Sequence, residues 1–418
     1  MDLIDLMVWL LGKTRGSPIS GRYGLSRKAQ AQWRARFGSL NLEDARQLPP
    51  ALCTDVQEWV EGGSPAPALD CHWFLRELYS LKGDYLFHLF KERAGSEGVL
   101  ACGCGQPIPV PRLDLKSVGI AHPTTRQPNY GIRLLGNDLC FEVELDFRWA
   151  AQLAPLTYWE ETRKPLVFGA AVLNASDQDF ITEHDEHYFW TRPVSDSLQA
   201  ERVSEMLEGA REQGVHVLVL PELALTSTAR ERILQHIKVH DRPCVVIGGL
   251  AHQGSPERGF SNHCGVWAGH LESLQVKRNP FQDPKKRLIE HLELEAGKGE
   301  PLRLIHTGEW TLGAVICLDF LSRSPANVQG LLEDACVNLA AVPAWSAKTD
   351  LFGRRANALI AECQAFVIVA NNCPTSGSRD GYQCHAAIFG IPADGSEVKR
   401  EAWNAENSAS FLFTCQIP

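Results

Sequence analysis

The sequence predicts a protein of the α/β class with a second, smaller region at its N-terminus. Over residues 166–418, short and fully apolar runs alternate with segments of helical periodicity, which is the pattern of sheets covered by helices. Hydrophobic residues make up 44% of the chain and charged residues 22%, proportions that exclude a disordered or fibrous protein. The 418 residues also exceed the ~100–200 of one ordinary domain, so residues 1–165 are expected to form a separate region.

Residues 1–96 are predicted to be mostly helical. The first segment is apolar but interrupted by Asp2 and Asp5, and no basic residue precedes it, unlike in a signal peptide. It is also shorter than the ~20 residues of a membrane span, so we expect a short amphipathic helix that packs on protein, and no membrane association. Between residues 25 and 95 apolar residues recur at three- and four-residue spacing, and Asn41 is predicted to cap a helix.

Residues 97–165 form a predicted connecting region that is rich in glycine and proline and contains a strand at 140–145. Residues 166–418 are predicted to form an α/β sandwich with one core. Its predicted strands are residues 166–173, 215–220, 244–250, 263–268, 302–306, 311–317, 337–342, 366–371, 384–390 and 409–415. Its predicted helices are residues 197–213, 226–240 and 351–364.

A basic segment lies at residues 13–36, where seven lysines and arginines occur with no acid. One interpretation is a solvated helix face, and the other is a contact for nucleic acid or an acidic protein partner. Trp33 and Phe37 offer rings that could stack on bases, which favours the second interpretation only weakly. The net charge of −9 means that the protein as a whole does not complement nucleic acid.

The thirteen cysteines are spread from Cys53 to Cys415, and their odd number without a signal peptide predicts reduced thiols and a cytoplasmic location. Cys71-His72 and Cys102-Gly103-Cys104 contain four possible zinc ligands. Their spacing matches no common zinc module, so we interpret them as free thiols and expect no metal or cofactor. One cysteine can still be present for its reactivity.

Three reactive residues follow apolar strands at the point where each strand ends: Glu222, Lys277 and Cys317. Strand ends are where α/β folds place their chemistry. Cysteine is a nucleophile only as a thiolate, a nearby carboxylate can take its proton, and a lysine can stabilise the oxyanion that forms. Each residue also has a simpler explanation: Glu222 as a helix cap, Lys277 as a surface lysine, and Cys317 as a buried core residue.

Residues 166–418 contain six blocks in a fixed order: Pro221-Glu222, Lys277, residues 313–319 (Gly-Ala-Val-Ile-Cys-Leu-Asp), residues 339–345, residues 362–371 and residues 388–395. In this order they resemble the nitrilase superfamily of carbon–nitrogen hydrolases. The resemblance implies a four-layer α-β-β-α sandwich and a Glu-Lys-Cys catalytic set. It implies that Cys317 is the nucleophile, Glu222 the general base, and Lys277, with the backbone N–H of Leu318, the oxyanion donor.

A second glutamate that positions substrate is also implied by the resemblance, and Glu290 fits it best, with Glu293 as the competitor. Trp345, at a strand end, is either a wall of the substrate pocket or a core tryptophan. The chain departs from the family pattern around Lys277, where only the lysine is kept, and after Cys317, where leucine replaces tyrosine. Because these departures surround the pocket, we expect an unusual substrate, and the site can also be inactive.

The implied function is hydrolysis of a non-peptide C–N bond in a small-molecule amide, carbamoyl compound or nitrile, through a thioester on cysteine. The family usually pairs subunits, so a homodimer or higher homo-oligomer is expected. The alternative is a nitrilase-like scaffold or effector in a multi-component system, such as a bacterial defence system, that binds a partner or nucleic acid through residues 13–36.

Overall fold

Two β-sheets packed face to face form the centre of this protein. The computed structural model describes residues 1–14, 24–111, 131–136, 142–157, 165–174, 177–283, 287–293, 300–322, 326–346, 349–372, 385–393, 396–403 and 410–417. Within these ranges, none of the helices combines the length and the apolar character needed to cross a bilayer.

The helices are α1 Leu3–Thr14, α2 Arg27–Gly38, α3 Leu42–Arg46, α4 Pro50–Glu58, α5 Pro67–Arg93, α6 Ala154–Thr157, α7 Asp196–Glu212, α8 Ser227–Val239, α9 Leu318–Leu321, α10 Val328–Asp334 and α11 Thr349–Cys363. Shorter helical turns are a π turn at Trp59–Gly63 and 3₁₀ turns at Gly95–Glu97, Arg148–Ala150 and Asp177–Asp179.

The strands are β1 Val99–Cys102, β2 Pro107–Pro109, β3 Ile132–Leu134, β4 Val143–Asp146, β5 Leu166–Val172, β6 Phe180–His184, β7 Tyr188–Pro193, β8 Val217–Val219, β9 Val245–Gly249, β10 Gln253–Ser255, β11 Gly259–Ser261, β12 His263–Ala268, β13 Leu271–Val276, β14 Gln282–Asp283, β15 Leu288–Glu290, β16 Leu302–His306, β17 Thr311–Ala314, β18 Leu339–Ala344, β19 Phe366–Asn371, β20 His385–Ala393, β21 Ser396–Trp403 and β22 Phe411–Ile417.

The strands form one eight-stranded sheet, in the order β1-β4-β16-β17-β18-β19-β20-β21, and one six-stranded sheet, in the order β13-β12-β9-β8-β5-β22. Strand β5 shows how the layers pack. Phe168 and Ala170 point into the layer between the sheets, where Phe168 meets Phe366 of β19 at 5.4 Å between ring centroids. Val167 and Ala171 alternate with them and face the helices. Burial on both faces explains why this strand is apolar throughout.

Helices cover the outer face of each sheet. Helices α7 and α8 pack against the six-stranded sheet through Val203, Leu207 and Ile233, and helix α11 packs against β19 and β20 of the other sheet. The four layers are therefore α-β-β-α, and the predicted fold class is confirmed. Each predicted strand of residues 166–418 has a counterpart among the observed strands, displaced by at most a few residues at either end.

The N-terminal residues are helical, as predicted. The apolar face of α1 is buried against α5, and Asn41 caps α3 in a reciprocal capping box with Asp44. Strands β1 and β4 come from the predicted connecting region, but they extend the eight-stranded sheet, with β4 parallel to β16. The division at residues 96 and 165 remains a prediction.

The basic segment contributes to the N-terminal core. Trp33 is buried and packs edge-on against Phe74, with ring centroids 5.2 Å apart, and Phe37 is fully buried beside it. Neither ring can stack on a base without unfolding this region. Arg34 and Arg36 bind Glu77 and Asp55, which indicates that much of the positive charge serves the helices themselves. Arg15 and Arg22 lie outside the described residues.

Candidate active site

Glu222 comes directly after Pro221 at the end of strand β8 and is almost completely buried. The backbone is held there by Gly249 of the neighbouring strand, whose N–H donates to the Pro221 carbonyl at 3.0 Å. A Cβ atom at Gly249 would lie 2.5 Å from the Glu222 Cα. This close approach requires glycine, and it fixes the depth at which the carboxylate lies.

Lys277 follows strand β13 and is bound by two buried carboxylates. Its Nζ donates to Glu222 Oε1 at 2.7 Å and to Glu290 Oε2 at 2.6 Å, and all three side chains are 2% exposed. Burial alone would lower the pKa of Lys277, but the charges of Glu222 and Glu290 outweigh it and hold that pKa above its usual range. The lysine is therefore a permanently charged ammonium group.

Glu290 ends strand β15 and accepts four hydrogen bonds. Besides Lys277, its donors are the Phe281 N–H at 2.9 Å, Asn262 Nδ2 at 2.8 Å and His252 Nε2 at 3.0 Å. Burial would raise the pKa of Glu290, but the Lys277 charge and the bonds from His252 and Lys277 hold it well below its usual range. Glu293 is exposed, so Glu290 is the glutamate that joins the network.

His252 and Asn262 were not predicted from the sequence. The Thr191 N–H donates to His252 Nδ1 at 2.8 Å, so the Nδ1 atom is an acceptor and the ring proton lies on Nε2, which faces Glu290. Asn262 uses its amide group to bridge both glutamates, with Nδ2 2.9 Å from Glu222 Oε1. The signal in the sequence is a single polar residue next to an apolar strand, which is too common to single out either one.

Cys317 lies between strand β17 and the short helix α9 in an unusual backbone conformation. Its φ of 44° and ψ of −102° are rare for a residue with a side chain and cost about 1–3 kcal/mol. The conformation is held by a hydrogen bond from the Cys317 N–H to the Pro343 carbonyl at 2.9 Å. The Sγ atom lies 3.9 Å from the Trp345 carbonyl oxygen.

The Cys317 thiol interacts with both members of the Glu222–Lys277 pair. Burial raises its pKa, the charge and side-chain hydrogen bond of Glu222 raise it further, and Lys277 opposes them in part. The pKa lies well above its usual range, so the resting residue is a thiol with a carboxylate beside it. The structure thus brings Glu222, Lys277, Glu290 and Cys317 together.

Asp319 connects the lysine segment to the cysteine segment. Its carboxylate accepts the N–H groups of Arg278 at 3.0 Å and Asn279 at 2.8 Å, one and two residues after Lys277. Burial raises the pKa of Asp319 to about 6, against the opposing effect of these backbone donors. Since Asp319 lies two residues after Cys317, it fixes the distance between the two candidate catalytic segments.

A four-stranded sheet, in the order β14-β15-β7-β6, was not predicted, and two of its residues, Phe180 and Trp190, belong to pairs of stacked aromatic rings. Trp345 stacks on Phe180 with ring centroids 5.3 Å apart, and its Nε1 has no hydrogen-bond partner among the described residues. Trp190 stacks in the same way on Phe260 at 4.9 Å. Trp345 is half-buried, and its carbonyl faces the thiol, so it adjoins Cys317 as well as the small sheet.

Among the described residues, one group of side chains has its ligand atoms close enough together to hold a metal ion: Glu208 of helix α7, His236 of helix α8 and His240, which follows α8 directly. Within the same ranges, the four candidate zinc ligands Cys71, His72, Cys102 and Cys104 do not form such a group.

No protein family's sequence profile matches the chain, and neither does any curated protein sequence. Several solved structures, however, do match the chain. A cysteine-to-alanine variant of the Nesterenkonia AN1 amidase from the nitrilase superfamily has 16% identity and a TM-score of 0.42, and the match covers 60% of this chain and 90% of that one. The Saccharomyces cerevisiae Nit3 protein, from branch 10 of the superfamily, has 14% identity and a TM-score of 0.40, covering 60% and 90%.

A CN-hydrolase superfamily protein from Xanthomonas campestris has 14% identity and a TM-score of 0.38, covering 61% of this chain and 91% of that one. Likeness at this level carries no activity from one protein to another, so the function of this chain has to be argued from its own side chains.

Proposed function

We propose that this protein is a carbon–nitrogen hydrolase that works through a thioester on Cys317. The observation that supports this best is the buried Glu222–Lys277 hydrogen bond of 2.7 Å beside a thiol in a strained backbone conformation. Burying an ammonium group between two carboxylates is costly, and a fold gains little stability from it. A requirement of chemistry explains why such a group is kept at the end of strands.

In the first step, the Cys317 Sγ attacks the carbonyl carbon of an amide, and its proton passes to Glu222. The C=O double bond becomes a C–O⁻ single bond. Lys277 and the N–H of Leu318 would hold this oxyanion, since Leu318 opens helix α9, where N–H groups have no acceptor within the helix. The high pKa of the thiol means that proton transfer accompanies the attack and does not precede it.

In the second step, the oxyanion collapses, the C–N bond breaks, and Glu222 returns the proton to the leaving nitrogen. A thioester remains on Cys317. Water then attacks the thioester carbon and gives a proton to Glu222, the C–S bond breaks, and the proton returns to sulfur as the carboxylic acid leaves. Glu222 thus acts as base and acid in turn, while Lys277 stays charged throughout.

Glu290 and Trp345 are proposed to position the substrate. Glu290 also accepts a hydrogen bond from Lys277, as Glu222 does, so it helps to orient the oxyanion donor. The Trp345 carbonyl lies beside the thiol, and the Nε1–H of the same residue is buried without a partner among the described residues, so it is proposed to donate to a carbonyl or other acceptor on the substrate. The expected substrates are small amides, carbamoyl compounds or nitriles, and an aromatic or planar group is favoured because Trp345, which stacks on Phe180, adjoins Cys317.

The test is to replace Cys317 with Ala and with Ser and to measure ammonia release from a panel of small aliphatic and aromatic amides and nitriles. We expect both variants to lose activity by at least ~10³-fold, while peptide mass spectrometry of the native protein, quenched with acid during turnover, shows the acyl group of the substrate on Cys317. The matched control is Cys53→Ala, a buried cysteine of helix α4, which should keep both activity and adduct. Full activity of Cys317→Ala would exclude this mechanism.

A further inference from the structure

A second cluster of polar side chains lies on the outer helix layer, at the ends of α7 and α8. Glu208 belongs to the last part of α7, His236 to the last turn of α8, and His240 follows that helix directly. The Glu208 Oε1 atom is 3.6 Å from His236 Nδ1 and 4.0 Å from His240 Nε2. The proposed hydrolase function uses none of these residues.

The hydrogen bonds around the cluster leave its ligand atoms facing one another. His236 Nε2 lies 3.1 Å from the Arg242 carbonyl oxygen, so this nitrogen carries the ring proton and the Nδ1 lone pair points towards Glu208. Arg211 Nε donates to Glu208 Oε2 at 2.8 Å and leaves Oε1 for another partner. A backbone carbonyl behind a histidine and a cation behind a carboxylate are typical supports of metal ligands.

The surroundings also favour a cation. Both helices end here, and the last carbonyl groups of a helix carry partial negative charge. A tetrahedral zinc ion with bonds of about 2.0–2.1 Å needs ligand atoms about 3.3 Å apart. The three ligand atoms lie within 4.8 Å of one another, and Glu208 and His240 are exposed, so rotations of these two side chains can bring the atoms to that separation.

We propose that Glu208, His236 and His240 bind one Zn²⁺ ion and thereby fasten helix α7 to helix α8. Two imidazole nitrogens and one carboxylate oxygen are a ligand set that suits zinc and leaves a fourth position for water. Helix α8 begins close to Glu222 and runs for 13 residues, about 20 Å, before it reaches the cluster. The ion would therefore act on the stability of the helix layer and not on catalysis.

The experiment uses the full chain. Any metal is removed with a chelator, and the chelator is then removed as well. Zinc binding is measured by calorimetry, and Co²⁺ is added separately as a spectroscopic probe, because a thiolate ligand would give an intense charge-transfer band and nitrogen and oxygen ligands would not. We expect one zinc ion per chain, a cobalt spectrum without thiolate bands, and a higher unfolding temperature with zinc. Mg²⁺ should have no effect.

The variants Glu208→Gln and His240→Ala should each weaken zinc binding at least ~10-fold and reduce the thermal shift. Both positions are exposed, so the folding of these variants is not in question. His184→Ala, an exposed histidine of strand β6, is the matched control and should bind zinc as the native protein does. Unchanged affinity in both cluster variants, or a cobalt spectrum dominated by thiolate bands, would overturn the proposal.

Discussion

Ion pairs between lysine and glutamate occur in this protein in two opposite surroundings, one buried and one exposed to solvent. In the candidate active site, Lys277 and its two glutamates are 2% exposed. In the N-terminal helices, Lys13 pairs with Glu61 at 2.9 Å, and these side chains are 41% and 57% exposed. Desolvation makes the first arrangement expensive, and solvent screening makes the second nearly neutral. The difference indicates that burial of the charges, more than the number of ion pairs, marks a functional site.

The substitution Lys277→Met tests this comparison most directly and should have the largest effect on stability. The change leaves two buried carboxylates without their shared cation, and we expect a loss of about 3–5 kcal/mol in the free energy of unfolding, measured with urea. The double variant Lys277→Met with Glu222→Gln removes one of the two unpaired charges and should recover part of that loss. A stability within 1 kcal/mol of the native protein would mean that water reaches these carboxylates.

A buried neutral histidine, His306, allows a second comparison, in which the stability of the protein is measured as a function of pH. Burial lowers the pKa of His306 to about 3, against 6.5 for an ordinary histidine. Above pH 6.5 the ring is neutral in both states and costs nothing. As pH falls from 6.5 towards 3, the unfolded chain takes up a proton that the folded protein excludes, so stability is lost, by about 3 kcal/mol at pH 4.5.

The measurement is the unfolding free energy from pH 7 to pH 4.5 for the native protein and for His306→Gln. Gln can keep a hydrogen bond to Thr311, which lies 2.8 Å from the histidine ring, but it cannot titrate. The variant should lose less stability over this range than the native protein. Identical slopes would show that His306 is protonated in the folded state.

His252 allows a finer test inside the buried network. It is proposed to act on the reaction through Glu290, since its Nε2–H donates to that carboxylate and its other nitrogen is held by the Thr191 N–H. We expect His252→Ala to lower kcat/KM about 10-fold, a change of about 1.4 kcal/mol, and His252→Gln to restore part of it. An Ala variant with reduced stability but native kcat/KM would limit His252 to a structural role.

The sequence made it possible to predict the fold, Glu222 and Cys317, because buried strands are apolar in nearly every position and their ends stand out. Lys277 follows strand β13, which contains Glu272, Ser273 and Gln275, so the resemblance supported it more than the apolar pattern did. Glu290 could be chosen over Glu293 only on the resemblance, since both lie in a charged segment. The structure separates them by burial. The four-stranded sheet with β6 and β7 escaped prediction because β6 is mostly exposed and the buried positions of β7 include a threonine, so neither strand shows a clear apolar–polar alternation in its sequence. His252 and Asn262 escaped because their contacts are with residues distant in the chain.

The smallest expected effect is at the surface. Lys13→Ala removes the ion pair with Glu61 and the contact of its ammonium group with the Trp9 ring, at 5.1 Å from the ring centroid. Solvent already screens this charge, so we expect a change within about 1 kcal/mol in the free energy of unfolding, smaller still at high salt. The double variant with Glu61→Ala isolates the pair itself from the lysine's packing. A coupling between the two residues as large as the loss in Lys277→Met would contradict the comparison, because surface and buried ion pairs would then stabilise this protein equally.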